Sequence, residues 1–428
     1  MNKSALVIGG GISGLATARE LARQGITTTL IEAKDRFGGR IHTLHEGKIP
    51  IELGAEFVHG QSKALLAAIR EAKLSTRNVP DTHHLFENGK IKDVKLWDII
   101  GDVINQIDIR KPDCSFKEFL VQQNIPEPAR TMACNFVMGF DAAYPERASA
   151  HALRRAEYAA EQINMDTQSH IVEGYSALVE HFVRDIEAAG GRLLLNTRAR
   201  RIRWERGKVE VLAERNRRKE TFAADIAIIT LPLAVLKTNK MKFEPSLPEK
   251  IEAIQGLEVG NVVRIVFHFK ESFWEDFGFI HAFDEAIPTW WSDQRGPILT
   301  GWTGGPKADA LLKLSRKKLE KTALEILRKI IFGGASVAAL RKRLVAIHFY
   351  NWADDEEIRG AYSYIPVNGL DLPKVLAAPV ADTLFFAGEA TVFDAQTGTV
   401  FGALESGLRA AKEVLKNHNV QANAKEFA

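Results

Sequence analysis

The chain has 428 residues, 46% of them hydrophobic, which is enough for sizeable cores and on length alone points to about two domains. Its 57 basic and 54 acidic side chains leave a net charge of +3, so nothing in the charge balance calls for nucleic acid or an anionic membrane as partner. Only Cys114 and Cys134 occur, with no C-x-x-C or His/Cys ligand spacing, which gives no ground for a disulfide scaffold or a metal site.

The N-terminal segment begins directly with a buried-strand pattern and lacks a basic n-region, an apolar h-region and a small-residue cleavage site. Residues Ala5–Thr43 read as strand, Gly-rich turn, helix and a second strand ending at Glu32. Gly9, Gly11 and Gly14 form G-x-G-x-x-G: the first allows the tight turn, the second a close approach of backbone to a pyrophosphate, the third close packing of helix on strand. The helix N-terminus then offers free N–H groups to phosphate. Glu32 stands at the spacing where a carboxylate accepts from a ribose hydroxyl, so an adenine dinucleotide is the expected ligand. Arg36-Phe-Gly-Gly-Arg40 follows almost at once. Gly38 and Gly39 lack a Cβ, and Arg40 offers a bidentate fork to the same pyrophosphate.

Further along, Gly54–Gly60 turns into mainly helical patterns up to about Gln168, with apolar residues at helical spacing over Ser62–Ala72 and Leu96–Ile107 and an N-cap at Ser115. A helix opens near Gly174 and ends at Gly190–Gly191. Strands are expected at Arg192–Leu195, Arg200–Trp204, Val209–Leu212 and Ile226–Thr230. The basic run Arg198–Arg206 and the cluster Arg215–Lys219 read as solvated strand edges and a turn. Strands recur at Val262–Phe269, Phe279–Phe283, Ile298–Trp302 and Val345–Asn351, with a charged amphipathic helix from Ser315 to about Ile331. The last block, Leu384–Glu389 followed by Thr399–Leu415, reads as strand, loop and a helix whose small first residues let its N-terminus face a ligand.

These blocks, in this order, resemble the flavin amine oxidases, a family that includes polyamine oxidases, monoamine oxidases, L-amino acid oxidases and flavin-type histone lysine demethylases. The blocks that carry the resemblance are G-x-G-x-x-G with Glu32, RFGGR, ELGAEFVHG, DIAIITLPLAVLK, RGAYSY, LFFAGE and TVFGALESGLRAA; together they span about Ala5–Leu415. The polyamine oxidase and demethylase branch matches best. Unlike chromatin demethylases, the chain shows no tower-like helical insertion. The resemblance implies an α/β fold: an FAD-binding Rossmann-like domain of the glutathione-reductase kind (1–60, 169–240 and 371–418), a discontinuous α+β substrate domain (61–168 and 241–370) and a polar tail (419–428).

Carried over residue by residue, the resemblance implies FAD contacts from Gly9, Gly11, Ser13 and Gly14, from Glu32 and Ala33 at the ribose, and from Lys34, Gly39 and Arg40 at the pyrophosphate. It also implies contacts from the backbone of Glu56, Phe57 and Ala199, and from Gly388, Glu389, Thr399 and Val400. The last two start a helix whose dipole favours negative charge on reduced flavin. Trp352 lies where relatives place an aromatic against the flavin. Tyr362 would be one wall of the amine site, faced by Thr399 where monoamine oxidases have a second Tyr. His59 stands near the amine in several polyamine oxidases. Two departures matter. The position of covalent attachment is Ala361, which implies non-covalent FAD. The position where most oxidases of the family hold a water with Lys is Arg264, a planar fork.

The expected function is therefore FAD-dependent oxidation of a polyamine or other amine: hydride transfer to the flavin, hydrolysis of the imine, and reoxidation by O2 giving H2O2, or by another electron acceptor. An amino-acid oxidase or dehydrogenase using Arg264 as carboxylate clamp, a desaturase of a hydrophobic substrate, and a non-catalytic FAD-bound binding protein stand as alternatives. Asp141, Glu157, Glu161 and Asp293 are candidates to recognise a second ammonium, or are surface charges. A cytoplasmic protein with no membrane segment and no metal is expected, and the sequence is silent on oligomeric state.

Overall fold

In a computed structural model, residues 3–333, 335–394 and 397–426 are described. At its centre lies a five-stranded parallel sheet in the order Arg192–Leu194, Thr27–Ile31, Ser4–Ile8, Ile226–Ile229, Leu384–Phe386. Ser4–Ile8, Ile226–Ile229 and Leu384–Phe386 are near-continuous apolar runs (SALVI, IAII, LFF) because both faces of the sheet are covered. Helices Ile12–Arg23, Ser176–Ala188 and Val400–Glu426 pack on one face. The antiparallel strands Thr197–Glu205, Lys208–Arg215 and Arg218–Ala224, with helix Pro248–Gly256, cover the other. The sheet thus draws on three distant stretches of chain, and its carboxyl edge faces one cavity.

A seven-stranded mixed sheet forms the second body, in the order Leu344–Phe349, Val262–Phe269, Ile298–Gly304, Thr289–Asp293, Phe279–His281, His83–Glu87, Lys90–Asp93. All eight residues of Val262–Phe269 are buried, which makes it the spine of this sheet. Helices Gly305–Leu312 and Arg316–Ile330 cover one face. Helices Leu96–Ile104, Phe116–Gln122, Ala129–Gly139 and Ala150–Gln162 build a separate core beside it. Ser115 caps the second of these in a capping box with Glu118.

The structure adds strands to the expected, mainly helical reading of 61–168. Thr76–Asn78, His83–Glu87 and Lys90–Asp93 are strands, two of them joining the large sheet. They are short, and Lys90–Asp93 is exposed throughout, so no apolar alternation announces them. Arg215–Arg218 is the turn of a hairpin, with Asn216 and Arg217 at φ 46° and 66°, which accounts for the basic cluster there. The final helix runs on through Glu426 past the expected start of a polar tail, and 427–428 lie outside the described residues. Among the described residues no helix is long and apolar enough to cross a membrane.

Candidate active site

The Gly-rich turn is set by packing. Gly9 adopts φ 112°, and a Cβ there would lie 2.7 Å from Thr230 Oγ1. A Cβ on Gly14 would lie 2.0 Å from the carbonyl oxygen of Gly9, so helix Ile12–Arg23 can start only on a glycine at that point. A Cβ on Gly11 would meet nothing within 4 Å, because Gly11 opens onto the cavity. Gly11 is the N-cap of that helix and has no side chain to satisfy its first N–H groups, which leaves them for an anion. The RFGGR loop is tied to this turn: Gly38 N donates to Gly10 O at 2.8 Å, and Arg36 donates to the carbonyls of Gly39 and Ile41.

Glu32 is buried. One carboxylate oxygen accepts from Gly10 N at 2.6 Å, the other from Lys34 N at 2.8 Å. Burial raises its pKa and outweighs these backbone donors. Gly9, Gly11, Ser13, Ala33, Gly39 and Ala199 line the same cavity. Ser13 Oγ also faces Ser406 Oγ at 3.3 Å. Arg40, Trp352, Gly388, Glu389, Thr399 and Val400 line this cavity too. Arg40 pairs with Glu389 at 2.9 Å, and the other oxygen of Glu389 accepts from Ser363 Oγ at 2.6 Å and Gly398 N at 3.2 Å. Trp352 is pinned by its Nε1 donating to Leu53 O at 3.0 Å. Thr399 caps the final helix, accepting from Gly402 N at 3.1 Å.

Lys34 is placed otherwise than expected. Its Nζ pairs with Asp355 and donates to Tyr350 OH at 3.1 Å, so this cation is used inside the protein rather than at the cavity wall. Glu56 and Phe57 line a second cavity that joins the first, next to Gly54 and Ala55, which line both. Arg264, Trp302, Tyr362, Thr399 and Val400 line both cavities and so mark the junction.

At that junction Arg264 is 6% exposed and makes a 2.5 Å ion pair with Glu56 and a 3.1 Å hydrogen bond to Gly54 O. Glu56 also faces His170 at 3.1 Å and Arg295 at 3.4 Å, and accepts from Trp291 Nε1 at 3.2 Å. Burial alone would raise the Glu56 pKa, but Arg264, His170 and Arg295 hold it well below the usual carboxylate range. Arg264 thus brings its charge to the junction already balanced by a carboxylate.

The second cavity is walled by Trp97, Phe140, Trp291, Trp302 and Tyr362. Tyr362 is fixed by its OH donating to Phe140 O at 2.7 Å. His59 lines this cavity, and its buried Nδ1 has no hydrogen-bond partner among the described residues. Of the four expected acidic candidates, only Asp141 lines it. Asp293 is held by Arg295 at 2.6 Å, Glu157 packs beside Gly101, and Glu161 is exposed. The aromatic wall was missed in the sequence, where Trp97, Phe140, Trp291 and Trp302 carry no motif. The cysteines lie with the separate helical core, and neither lines either cavity.

Burial lowers the His59 pKa to about 4, from an ordinary value of 6.5. Between these values the unfolded chain binds a proton that the folded chain does not, so His59 costs stability as pH falls from 6.5 toward 4. His59→Asn is expected to flatten that part of the stability curve, measured by urea unfolding at pH 7 and pH 5. An unchanged slope would show that His59 is charged in the folded state.

A family profile described as flavin containing amine oxidoreductase matches residues 12–110 and 108–415. Polyamine oxidase 3 of Oryza sativa subsp. japonica is 32% identical over 449 residues, covering 96% of this chain and 88% of that protein. Lysine-specific histone demethylase 1 homolog 2 of the same organism is 29% identical, covering 96% of this chain and 57% of that protein. The fold matches that of wild-type putrescine oxidase bound to putrescine, with a TM-score of 0.82 at 21% identity over 97% of this chain and 99% of that one. The chain belongs to the flavin-containing amine oxidoreductases. It is an FAD-dependent oxidoreductase acting on C–N bonds. The first cavity fits that cofactor: a turn that a Cβ would obstruct, an uncapped helix N-terminus, a buried carboxylate at the ribose spacing and an aromatic, Trp352, in its wall.

Proposed function

We propose that the protein oxidises a polyamine, with FAD held non-covalently and dioxygen as electron acceptor. The observation that carries this reading is the second cavity, in which aromatic faces enclose the space beyond the junction and Asp141 supplies a carboxylate. FAD, when bound, accepts a hydride equivalent from the carbon next to the reacting nitrogen. The residues supply the rest. Aromatic faces attract an ammonium group on entry, and the low polarity of the enclosed space favours the neutral amine at the reacting end. The imidazole of His59 lines the space beside the substrate nitrogen, and Tyr362, held by Phe140 O, fixes one wall. Asp141 receives a second ammonium. The names of relatives called polyamine oxidases support this substrate class. Ala361 before Tyr362, and cysteines that line neither cavity, support non-covalent binding. The balance of Arg264 by Glu56 weakens the reading of Arg264 as a clamp for an amino-acid carboxylate.

Anaerobic mixing of the yellow protein with spermidine, spermine, putrescine, a monoamine and an amino acid tests this through bleaching of the flavin. Bleaching by the polyamines, followed by rapid recolouring in oxygen, is the expected result. Bleaching by the amino acid alone would return Arg264 to the role of clamp. Slow recolouring would mean a dehydrogenase with another acceptor. Asp141→Asn is expected to raise KM for spermidine by roughly tenfold to a hundredfold, the worth of about 1.5–3 kcal/mol for a charged hydrogen bond, with little change for a monoamine. Equal loss on both substrates would remove Asp141 from recognition.

A further inference from the structure

Among the described residues, three groups of His and carboxylate side chains come together, each with ligand atoms within 4.8 Å of one another. Two of them already contain cations of the protein. Arg264 and Arg295 sit in the group of Glu56, His170 and Asp293. Arg19 and Arg23 sit in that of Glu71, His181 and Asp185. The third, Glu46 with His268 and His348, differs. Among the described residues no lysine or arginine pairs with Glu46; its partners are the two imidazoles. The nearby Arg316 is spent on Glu320 at 2.8 Å and on Ile347 O at 3.2 Å.

We infer that Glu46, His268 and His348 form a binding site for a divalent transition-metal cation of the zinc type, supplying two imidazole nitrogens and one carboxylate oxygen. The donor set suits borderline cations rather than calcium or magnesium, which prefer oxygen throughout. His268 Nδ1 lies against one oxygen of Glu46, and His348 Nε2 lies 3.0 Å from the other. His348 Nε2 is buried and makes no hydrogen bond of good geometry, so its lone pair is not otherwise used. Both imidazoles come from neighbouring strands: His268 from the buried strand Val262–Phe269 and His348 from the edge strand Leu344–Phe349, whose Val266 and His348 are paired in register. Glu46 ends the first strand of the hairpin Thr43–Glu46/Ile49–Glu52. Its side chain is 30% exposed, which leaves the cation a path in and a fourth position for water.

The placement gives the cation a structural effect. It would clamp the hairpin that leads into Leu53 and Gly54 onto the strand that carries Arg264 and onto the strand that leads to Trp352. The ligands stand at positions 46, 268 and 348, so no local spacing could have announced them.

The test uses the full-length, FAD-loaded protein, treated with EDTA and desalted. Zinc chloride is added in a non-chelating buffer, binding is followed by calorimetry, and retained metal is counted after a second desalting. One equivalent of zinc and a raised thermal midpoint are expected. Glu46→Gln and His348→Ala should each weaken binding by at least about tenfold, since even outer partners of metal ligands matter at that level. His181→Ala, in a group already filled by arginine, should leave it unchanged. Flavin content confirms that each variant is folded; if His348→Ala does not fold, the isosteric Glu46→Gln decides. No retained zinc, or equal retention by wild type and Glu46→Gln, overturns the site.

Discussion

Glu56→Gln is expected to destabilise the protein by about 3–5 kcal/mol, the usual cost of removing one partner from a buried ion pair. The side chain of Glu56 is 1% exposed, and those of Arg264 and Arg295 are 5% and 2% exposed. Removing the carboxylate's charge leaves two guanidinium groups facing each other with no solvent to screen them. Asp293 and Glu52 still face Arg295, at 2.6 and 3.7 Å, but Arg264 has no second carboxylate among its described partners. The loss should therefore fall mainly on Arg264. Adding Arg264→Met to Glu56→Gln should recover a large part of the stability, because the orphaned charge is then gone. Urea unfolding at fixed FAD concentration measures both. Failure of the second substitution to recover stability would show that packing of Glu56, not charge, carries the cost.

The same pair predicts behaviour in acid. The folded pKa of Glu56 lies below its ordinary value of 4.5, so the unfolded chain takes up this proton first as pH falls. The contribution of Glu56 is complete above about pH 4.5 and is lost progressively below it. Wild type should lose stability in that range more steeply than Glu56→Gln.

How much of this was legible in the sequence follows from the range of each interaction. The central sheet and its Gly-rich turn could be read because each signal is local: the apolar runs of Ser4–Ile8 and Ile226–Ile229, and glycines two and three positions apart. Glu32 was legible for the same reason, since both of its donors, Gly10 and Lys34, lie within a single βαβ unit. Lys34 was not, because its partner Asp355 lies 321 positions away and captures a charge that local reading assigns to phosphate. Glu56 shows the same limit. Its motif places it beside the site, but its role depends on Arg264, His170 and Arg295, which three different strands or loops deliver. Arg264 could be singled out as the position where most oxidases of the family carry Lys, whereas the neutralising carboxylate beside it could not. The short strands between 76 and 93 escaped because their pairing partners, not their own composition, make them strands.

Replacing Gly14 and Gly11 by valine should separate folding from cofactor binding, although both belong to one motif. A Cβ at Gly14 would sit 2.0 Å from Gly9 O and 2.8 Å from Thr230 Oγ1. Neither contact is with the end of a flexible side chain that can swing away, since Thr230 Oγ1 is itself held by the carbonyls of Ile8 and Gly9 at 3.0 Å. Helix Ile12–Arg23 would have to shift from the strand it packs on, at the centre of the largest core. Gly14→Val should therefore fold poorly, and the soluble yield of any flavin-bearing protein should collapse. At Gly11 an added Cβ meets no protein atom within 4 Å. Gly11→Val should fold with an apoprotein thermal midpoint close to wild type, but its side chain would stand in the space where the pyrophosphate must approach the helix N-terminus. Loss of FAD affinity by at least a hundredfold is expected, about 2.7 kcal/mol or more at 1.36 kcal/mol per tenfold, read by flavin fluorescence on titration of the apoprotein. A Gly11→Val protein that keeps wild-type flavin affinity would move the pyrophosphate away from this turn, and with it the assignment of the first cavity to the dinucleotide.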